Sequence, residues 1–88
     1  MTLMLDEKMK TREVVISLVE RYLEMSISYE QFVKNLPDEK LIVDDDALSQ
    51  FVHSVGHFDD DQDIMEKEPE YKIDMEKGIR KQITKLRQ

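Results

Sequence analysis

The sequence contains no cysteine and no tryptophan, and only two glycines and two prolines among its 88 residues. Without cysteine the chain can form neither a disulfide framework nor a thiolate zinc site, and it offers no thiol nucleophile. Disulfide-stabilised secreted mini-proteins, zinc fingers and cysteine proteases are therefore excluded. The absence of cysteine is typical of the reducing cytosol, so we expect a cytoplasmic protein.

Long apolar runs are also absent. The first eleven residues include Asp6, Glu7, Lys8 and Lys10, which interrupt any segment that could act as a signal peptide or a membrane span. A chain of this length forms one small domain, residues 1–88, with a single core and no room for a deep cleft between subdomains. We therefore expect neither enzymatic activity nor a bound cofactor.

Charge is abundant and unevenly distributed. The formal net charge is −7, but residues 38–76 contain three basic and fourteen acidic residues, whereas residues 77–88 contain five basic residues and no acidic one. The central acidic block repels phosphate backbones and membrane surfaces and attracts basic proteins. The expected partner is therefore a protein with a basic site, rather than a nucleic acid or a membrane.

Apolar residues at helical spacing predict four helices. The first covers residues 11–25, and the second begins at Tyr29, after a capping-box pattern at residues 28–31, and is ended by Pro37. The third covers residues 47–55, preceded by three aspartates that suit the positive end of a helix. The fourth begins after Asp74 as its cap and continues to the basic C-terminus.

The connections are predicted to be irregular. Residues 38–43 are expected to contain a short extended piece or a lone strand, Gly56 to weaken the third helix, and residues 59–63 to end it. No period-two alternation indicates a sheet, so we predict an all-α, antiparallel four-helix bundle that is monomeric when free. Its predicted core consists of Val15, Leu18, Val19, Tyr22, Phe32, Leu48, Phe51, Val52, Val55, Ile79, Ile83 and Leu86.

Two patterns suggest metal ligands. Asp59, Asp61 and Asp63 occupy positions 1, 3 and 5 of a calcium-binding EF-hand loop, but Ile64 stands where that loop needs glycine, so tight calcium binding is not expected. His53 and His57 have a spacing that can place two imidazoles on one metal. Such pairs more often lie at a core edge or face solvent, so we predict no metal site.

The densest acidic run has seven acidic residues within residues 59–70, interrupted by Lys67. It is either a solvated linker or an interaction surface. If it is a surface, His57 and Phe58 beside it are candidate anchors that lose water on binding. The candidate partner-binding residues are His57, Phe58, Asp59, Asp60, Asp61, Asp63, Glu66, Glu68 and Glu70.

The second half of the chain resembles the colicin D immunity protein family, which includes immunity proteins of contact-dependent growth inhibition systems. The resemblance lies in three segments, Val-His-Ser-Val-Gly-His-Phe-Asp-Asp-Asp-Gln-Asp at 52–63, Tyr-Lys-Ile-Asp at 71–74, and a final helix with Gly78, Ile79, Ile83 and Leu86. It implies a four-helix bundle that performs no reaction. Such a bundle neutralises the C-terminal tRNA-cleaving nuclease domain of a bacterial toxin.

The resemblance also implies a role for four positions. In that family acidic side chains occupy the basic active-site cleft of the toxin in place of tRNA phosphates, and the matching residues here are Asp59, Asp60, Asp61 and Asp63. Two other functions remain open, a small helical adaptor that completes the bundle of another protein and a calcium-responsive regulatory protein.

Overall fold

The structure is a computed structural model that describes the backbone of residues 2–88 and the side chains of residues 7–88. Within residues 2–88 it contains no strand, so the predicted all-α class is confirmed. Its helices are α1 (Thr2–Leu23), α2 (Tyr29–Lys34), α3 (Glu39–Val43), α4 (Asp46–Asp60), α5 (Gln62–Lys67) and α6 (Pro69–Arg87). None of them has the length and apolar character needed to cross a membrane.

The three long helices, α1, α4 and α6, pack against one another, and the short helices fill the gaps between them. Helices α2 and α3 contact α1, α3 also contacts α4, and α5 contacts both α4 and α6. All predicted core residues are buried except Tyr22 and Val52, which are half-buried at the edge of the core. The core also includes four residues that were not predicted: Ile16, Ile42, Phe58 and Met65.

Helix α3 replaces the extended piece or strand expected at residues 38–43. Asp38 caps it by accepting a hydrogen bond from the backbone N–H of Lys40 at 3.1 Å, and Ile42 is buried. A helix of about one turn contributes a single buried residue, so its sequence shows no helical period that distinguishes it from a strand.

Helix α6 begins at Pro69, six residues before the predicted start at Met75. Proline suits the first turn of a helix because the N–H it lacks has no partner there in any case. Asp74 therefore lies inside α6 and is not its cap.

Helix α4 continues through Gly56 to Asp60, so Asp59 and Asp60 belong to a helix and not to a linker. A Cβ atom at Gly56 would lie 3.2 Å from the hydroxyl oxygen of Tyr29. The absence of a side chain at Gly56 thus allows Tyr29 to approach α4 closely. Glycine is unfavourable inside a helix because of its conformational freedom, but α4 does not end at this residue.

The predicted start of α2 is confirmed. The Ser28 hydroxyl accepts from the backbone N–H of Gln31 at 3.1 Å, and the backbone N–H of Ser28 donates to the Gln31 side chain at 3.0 Å, which together form the capping box. The helix ends at Lys34, before Pro37. Val33 is 46% exposed because it lies on the outer side of this short helix.

A buried ion pair joins the long helices. Asp45 caps α4 by accepting from the Leu48 N–H at 3.4 Å, and it also accepts from Arg12 of α1 at 2.6 and 2.9 Å. Arg12 donates a third hydrogen bond to the Leu86 carbonyl of α6 at 3.2 Å. The sequence predicted that the aspartates before α4 favour its start, but it did not predict the bond to Arg12.

Candidate functional site

The acidic segment, residues 59–70, consists of the end of α4, the whole of α5 and the start of α6, with Asp61 and Glu68 between these helices. Most of the candidate partner-binding residues are exposed: His57, Asp60, Asp63, Glu66, Glu68 and Glu70. Asp59 and Asp61 are half-buried, and Phe58 is buried. The segment is therefore helical and fixed to the core at several points, rather than a solvated loop.

Phe58 is not available as a surface anchor. Its side chain is 3% exposed, and its ring packs edge-on against Tyr22 with the ring centroids 6.0 Å apart. Because α4 continues past Phe58, this residue lies on the same helical face as Phe51 and Val55, which are both buried. Phe58 is therefore a core residue in this structure, and the sequence-based expectation placed it at the surface.

Asp59 is held in place by a tyrosine from α1. The Tyr22 hydroxyl donates to Asp59 Oδ1 at 2.8 Å, and the side-chain amide of Gln62 lies 3.4 Å from the same hydroxyl. Burial raises the pKa of Tyr22 above its usual range, and the hydrogen bond to Asp59 raises it further. Tyr22 is thus a neutral donor at physiological pH, and it fixes the direction of the Asp59 carboxylate.

Asp61 is held in the same manner from the other side of the segment. The Tyr71 hydroxyl, on α6, donates to Asp61 Oδ2 at 2.8 Å. The pKa of Tyr71 is raised, chiefly by this hydrogen bond. Asp61 separates α4 from α5, so its bond to Tyr71 ties the turn between these helices to α6.

A surface depression of about 380 Å³ lies beside Asp59. Its lining combines the apolar side chains of Leu23 and Ile27 with the carboxylates of Asp59 and Glu76 and the ammonium group of Lys72, so that carboxylates outnumber cations. A wall that is partly apolar and partly anionic suits a lysine or arginine side chain, which carries an apolar stem and a charged end.

The turn after α1 shapes one side of this depression. Met25, which also lines it, has a φ of 64°, in the left-handed region where glycine is more common. Its N–H donates to the Tyr22 carbonyl at 3.0 Å and the Ser26 N–H donates to the Arg21 carbonyl at 2.9 Å, which is the Schellman pattern. The chain therefore turns directly beside the tyrosine that holds Asp59.

No ion pair among the side chains of residues 7–88 neutralises a carboxylate of the acidic segment. Among residues 7–88 the ion pairs join Arg12 with Asp45, Lys34 with Glu30, and Arg87 with Glu13 and Glu20, and none includes a residue of the segment. Seven carboxylates are thus presented without a cationic partner from the described side chains.

The position of Asp60 is electrostatically unfavourable. It is the last residue of α4, where the helix dipole is negative, and it is exposed. Asp63 and Glu70, in contrast, lie in the first turns of α5 and α6, where a carboxylate stabilises a helix. Asp60 therefore lowers the stability of α4 in the free protein.

The calcium-loop pattern does not form a loop. Asp59 lies in α4 and Asp63 in α5, so the residues that would have to surround an ion are on successive helices. Within residues 7–88 no group of three or more histidine, aspartate or glutamate side chains is arranged to hold a metal ion. The loop on which the calcium-responsive alternative depended is therefore absent from this part of the chain.

Tyr22, Gln62 and Tyr71 are the site residues that the sequence did not identify. Tyr22 is 37 residues from Asp59, and only the packing of α1 against α4 brings the two side chains together. No local pattern joins these residues. The one available signal was that each tyrosine lies at the edge of an apolar stripe, where its hydroxyl needs a polar partner.

Comparisons of this chain with protein-family models, curated proteins and solved structures find no significant match. A functional assignment therefore depends on the geometry and charge of the acidic segment, together with the resemblance described above.

Proposed function

We propose that this protein is an immunity-type inhibitor that binds the C-terminal tRNA-cleaving nuclease domain of a cognate bacterial toxin and covers its basic active site. The observation that carries the proposal is the acidic segment, in which seven carboxylates, on three successive helices and the residues between them, have no ion-pair partner within residues 7–88. A cleft built to bind the phosphates of tRNA has the complementary charge.

The carboxylates divide into two kinds that contribute differently to binding. Asp59 and Asp61 are positioned by tyrosine hydroxyls before any partner arrives, so little conformational entropy is lost when they meet a cation. These two control the dissociation rate. The exposed carboxylates of the segment remain hydrated at the rim and mainly accelerate association, an effect that salt weakens.

The depression beside Asp59 receives a lysine or arginine side chain of the toxin. The stem of that side chain contacts Leu23 and Ile27, and its charged end meets Asp59 and Glu76. The inhibitor itself catalyses no reaction, needs no cofactor, and contacts neither nucleic acid nor membrane. It acts as a cytoplasmic monomer in which α1, α2, α4 and α6 are the four helices of an antiparallel bundle.

The proposal is tested by changing Asp59, Asp60 and Asp61 together to asparagine. Asparagine keeps an oxygen that can accept from Tyr22 and Tyr71, so the variant is expected to fold. The loss of three charges, two of them on preorganised groups, is expected to weaken binding to the cognate nuclease domain on the order of 100-fold. Calorimetry with the purified nuclease domain measures the affinity, and survival of toxin-exposed cells measures protection.

A charge-matched control changes Glu39 to glutamine and Asp44 and Asp46 to asparagine. These three exposed side chains lie outside the acidic segment, so their neutralisation makes the net charge less negative by the same amount but should leave affinity within a few-fold of the parent. If the variant at positions 59–61 binds the nuclease as tightly as the parent at physiological salt, the acidic segment is only a solvated surface.

A single change separates stability from binding. Asp60→Asn is expected to raise the free energy of unfolding by about 0.3–1 kcal/mol at low salt, because it removes a carboxylate from the negative end of α4. The same change is expected to slow association with the toxin. Urea unfolding and stopped-flow association measure the two effects.

The matched control for this prediction is Asp63→Asn, in the first turn of α5. There the helix dipole favours the carboxylate, so the change should slightly destabilise the protein while also slowing association. Equal effects of the two changes on unfolding would contradict the assignment of Asp60 to an unfavourable position.

A second candidate function, a helical adaptor, is favoured by a more apolar depression of about 490 Å³ between α2, α3 and α4. Its lining includes Val33 and Val43, which are 46% and 58% exposed. The neighbouring genes distinguish the two functions. A gene directly upstream for a large exported protein with a short basic C-terminal domain favours the immunity function, and a linked DNA-binding partner favours the adaptor.

A further inference from the structure

The two histidines of α4 face each other. His53 and His57 are one helical turn apart, and their Nε2 atoms are separated by 3.0 Å. The rings meet edge to face with centroids 4.5 Å apart, and both side chains are exposed. The spacing in the sequence left the direction of the rings open, whereas the structure brings the two Nε2 atoms to one place.

We propose that His53 and His57 form a two-histidine chelate for a late first-row divalent cation such as Cu²⁺, Ni²⁺ or Zn²⁺. Imidazole nitrogen is a preferred ligand of these ions. Two Zn–N bonds in tetrahedral geometry place the nitrogens about 3.3 Å apart, so small ring rotations that widen the gap by about 0.3 Å are sufficient. Water completes the coordination.

The proton balance of this step is simple. At 3.0 Å one ring donates Nε2–H to the Nε2 lone pair of the other. When the metal binds, the donor ring exchanges that proton through solvent and carries one on Nδ1 instead. Both Nε2 lone pairs then face the metal, and no net proton is released from two neutral rings.

The surroundings of the pair favour a cation. A shallow depression of about 270 Å³ is lined by Tyr29, Val52, His53, Gly56, His57 and Asp60. The exposed Asp60 carboxylate in this lining contributes a negative potential that attracts a dication. No set of three potential ligands exists within residues 7–88, so the chelate has two protein ligands.

Calorimetric titration of the free protein with CuCl₂, NiCl₂ and ZnCl₂, with NMR of the histidine rings during the zinc titration, tests the proposal. We expect one ion per chain, a joint change of both ring signals, and tighter binding of Cu²⁺ than of Ni²⁺ or Zn²⁺. His53→Asn and His57→Asn should each weaken binding about 10- to 100-fold, because the chelate is reduced to one ligand. The bound ion should also raise the melting temperature of the parent.

The control is Asp63→Asn, which removes a carboxylate of the acidic segment and keeps both imidazoles, so it should bind the metal as the parent does. Because His53 and His57 are exposed, their variants are expected to keep the parent's helical circular dichroism. Unchanged affinity in either histidine variant, or one ion for two chains, would overturn the chelate. Its failure leaves the toxin-binding test unaffected, since that experiment contains no metal.

Discussion

Replacing Arg12 by alanine is expected to lower the free energy of unfolding by about 3–5 kcal/mol, which is a large share of the stability of a small domain. Asp45 is only 3% exposed, and without Arg12 its carboxylate is buried without the guanidinium that donates two hydrogen bonds to it. The Leu86 carbonyl also loses its donor from Arg12. Urea unfolding at neutral pH measures the change.

The effect should depend on pH in a defined direction. The hydrogen bonds from Arg12 hold the pKa of Asp45 below its usual range. The stabilisation from this ion pair is therefore complete above the unfolded carboxyl pKa of about 3.9 and is lost as the pH falls through the lower pKa of the folded protein. The difference between the parent and Arg12→Ala should become smaller in acid.

Two control variants identify the cause. Adding Asp45→Asn to Arg12→Ala should recover part of the lost stability, because the unpaired charge is removed while an N-cap acceptor remains. Arg87→Ala, in contrast, removes an arginine whose partners Glu13 and Glu20 are exposed, and it should change stability far less. Equal losses for Arg12→Ala and Arg87→Ala would contradict the role of burial.

Phe51→Ala is expected to lower the free energy of unfolding by about 3–5 kcal/mol, which is the usual range when a buried phenylalanine is truncated. Phe51 is fully buried in α4, in a core to which both α1 and α6 contribute, so truncation leaves a cavity that neither neighbouring helix can close without moving. Thermal and urea unfolding measure the loss. Val33→Ala, at an exposed position, is the control and should change little.

A Phe51→Ala protein as stable as the parent would show that the core is assigned incorrectly. A loss that is large for Phe51→Ala and small for Val33→Ala would support the assignment of these side chains to the inside and outside of the fold.

The long helices were predictable because each has several turns over which apolar residues repeat. This is why residues 47–55 were recognised as part of α4 and residues 11–25 as a helix, although α1 ends at Leu23, two residues earlier than predicted. Helices α3 and α5 have five and six residues, too few to show a period. The start of α6 at Pro69 was missed for another reason. Proline can stand either in a break before a helix or in the first turn of the helix itself.

The site was predictable in charge but not in geometry. The order of charged residues along the sequence was enough to locate the acidic segment, because the charge of a segment does not depend on folding. The tyrosines that fix Asp59 and Asp61 could not be found, because tertiary packing brings them together. Phe58 is a different case. Its spacing from Val55 and Phe51 indicated the core, but the acidic residues that follow it suggested a surface.

The distribution of charge along α6 has a consequence for how a partner approaches. Its first turn contains Glu70, whereas Lys77 and the residues after it carry only positive charge. Together with the acidic segment, this gives the protein a permanent electric dipole. A diffusing partner with a cationic cleft experiences a torque that turns the acidic end toward it, and the basic end is repelled. The footprint of such a partner on α6 is therefore expected to stop before Lys77.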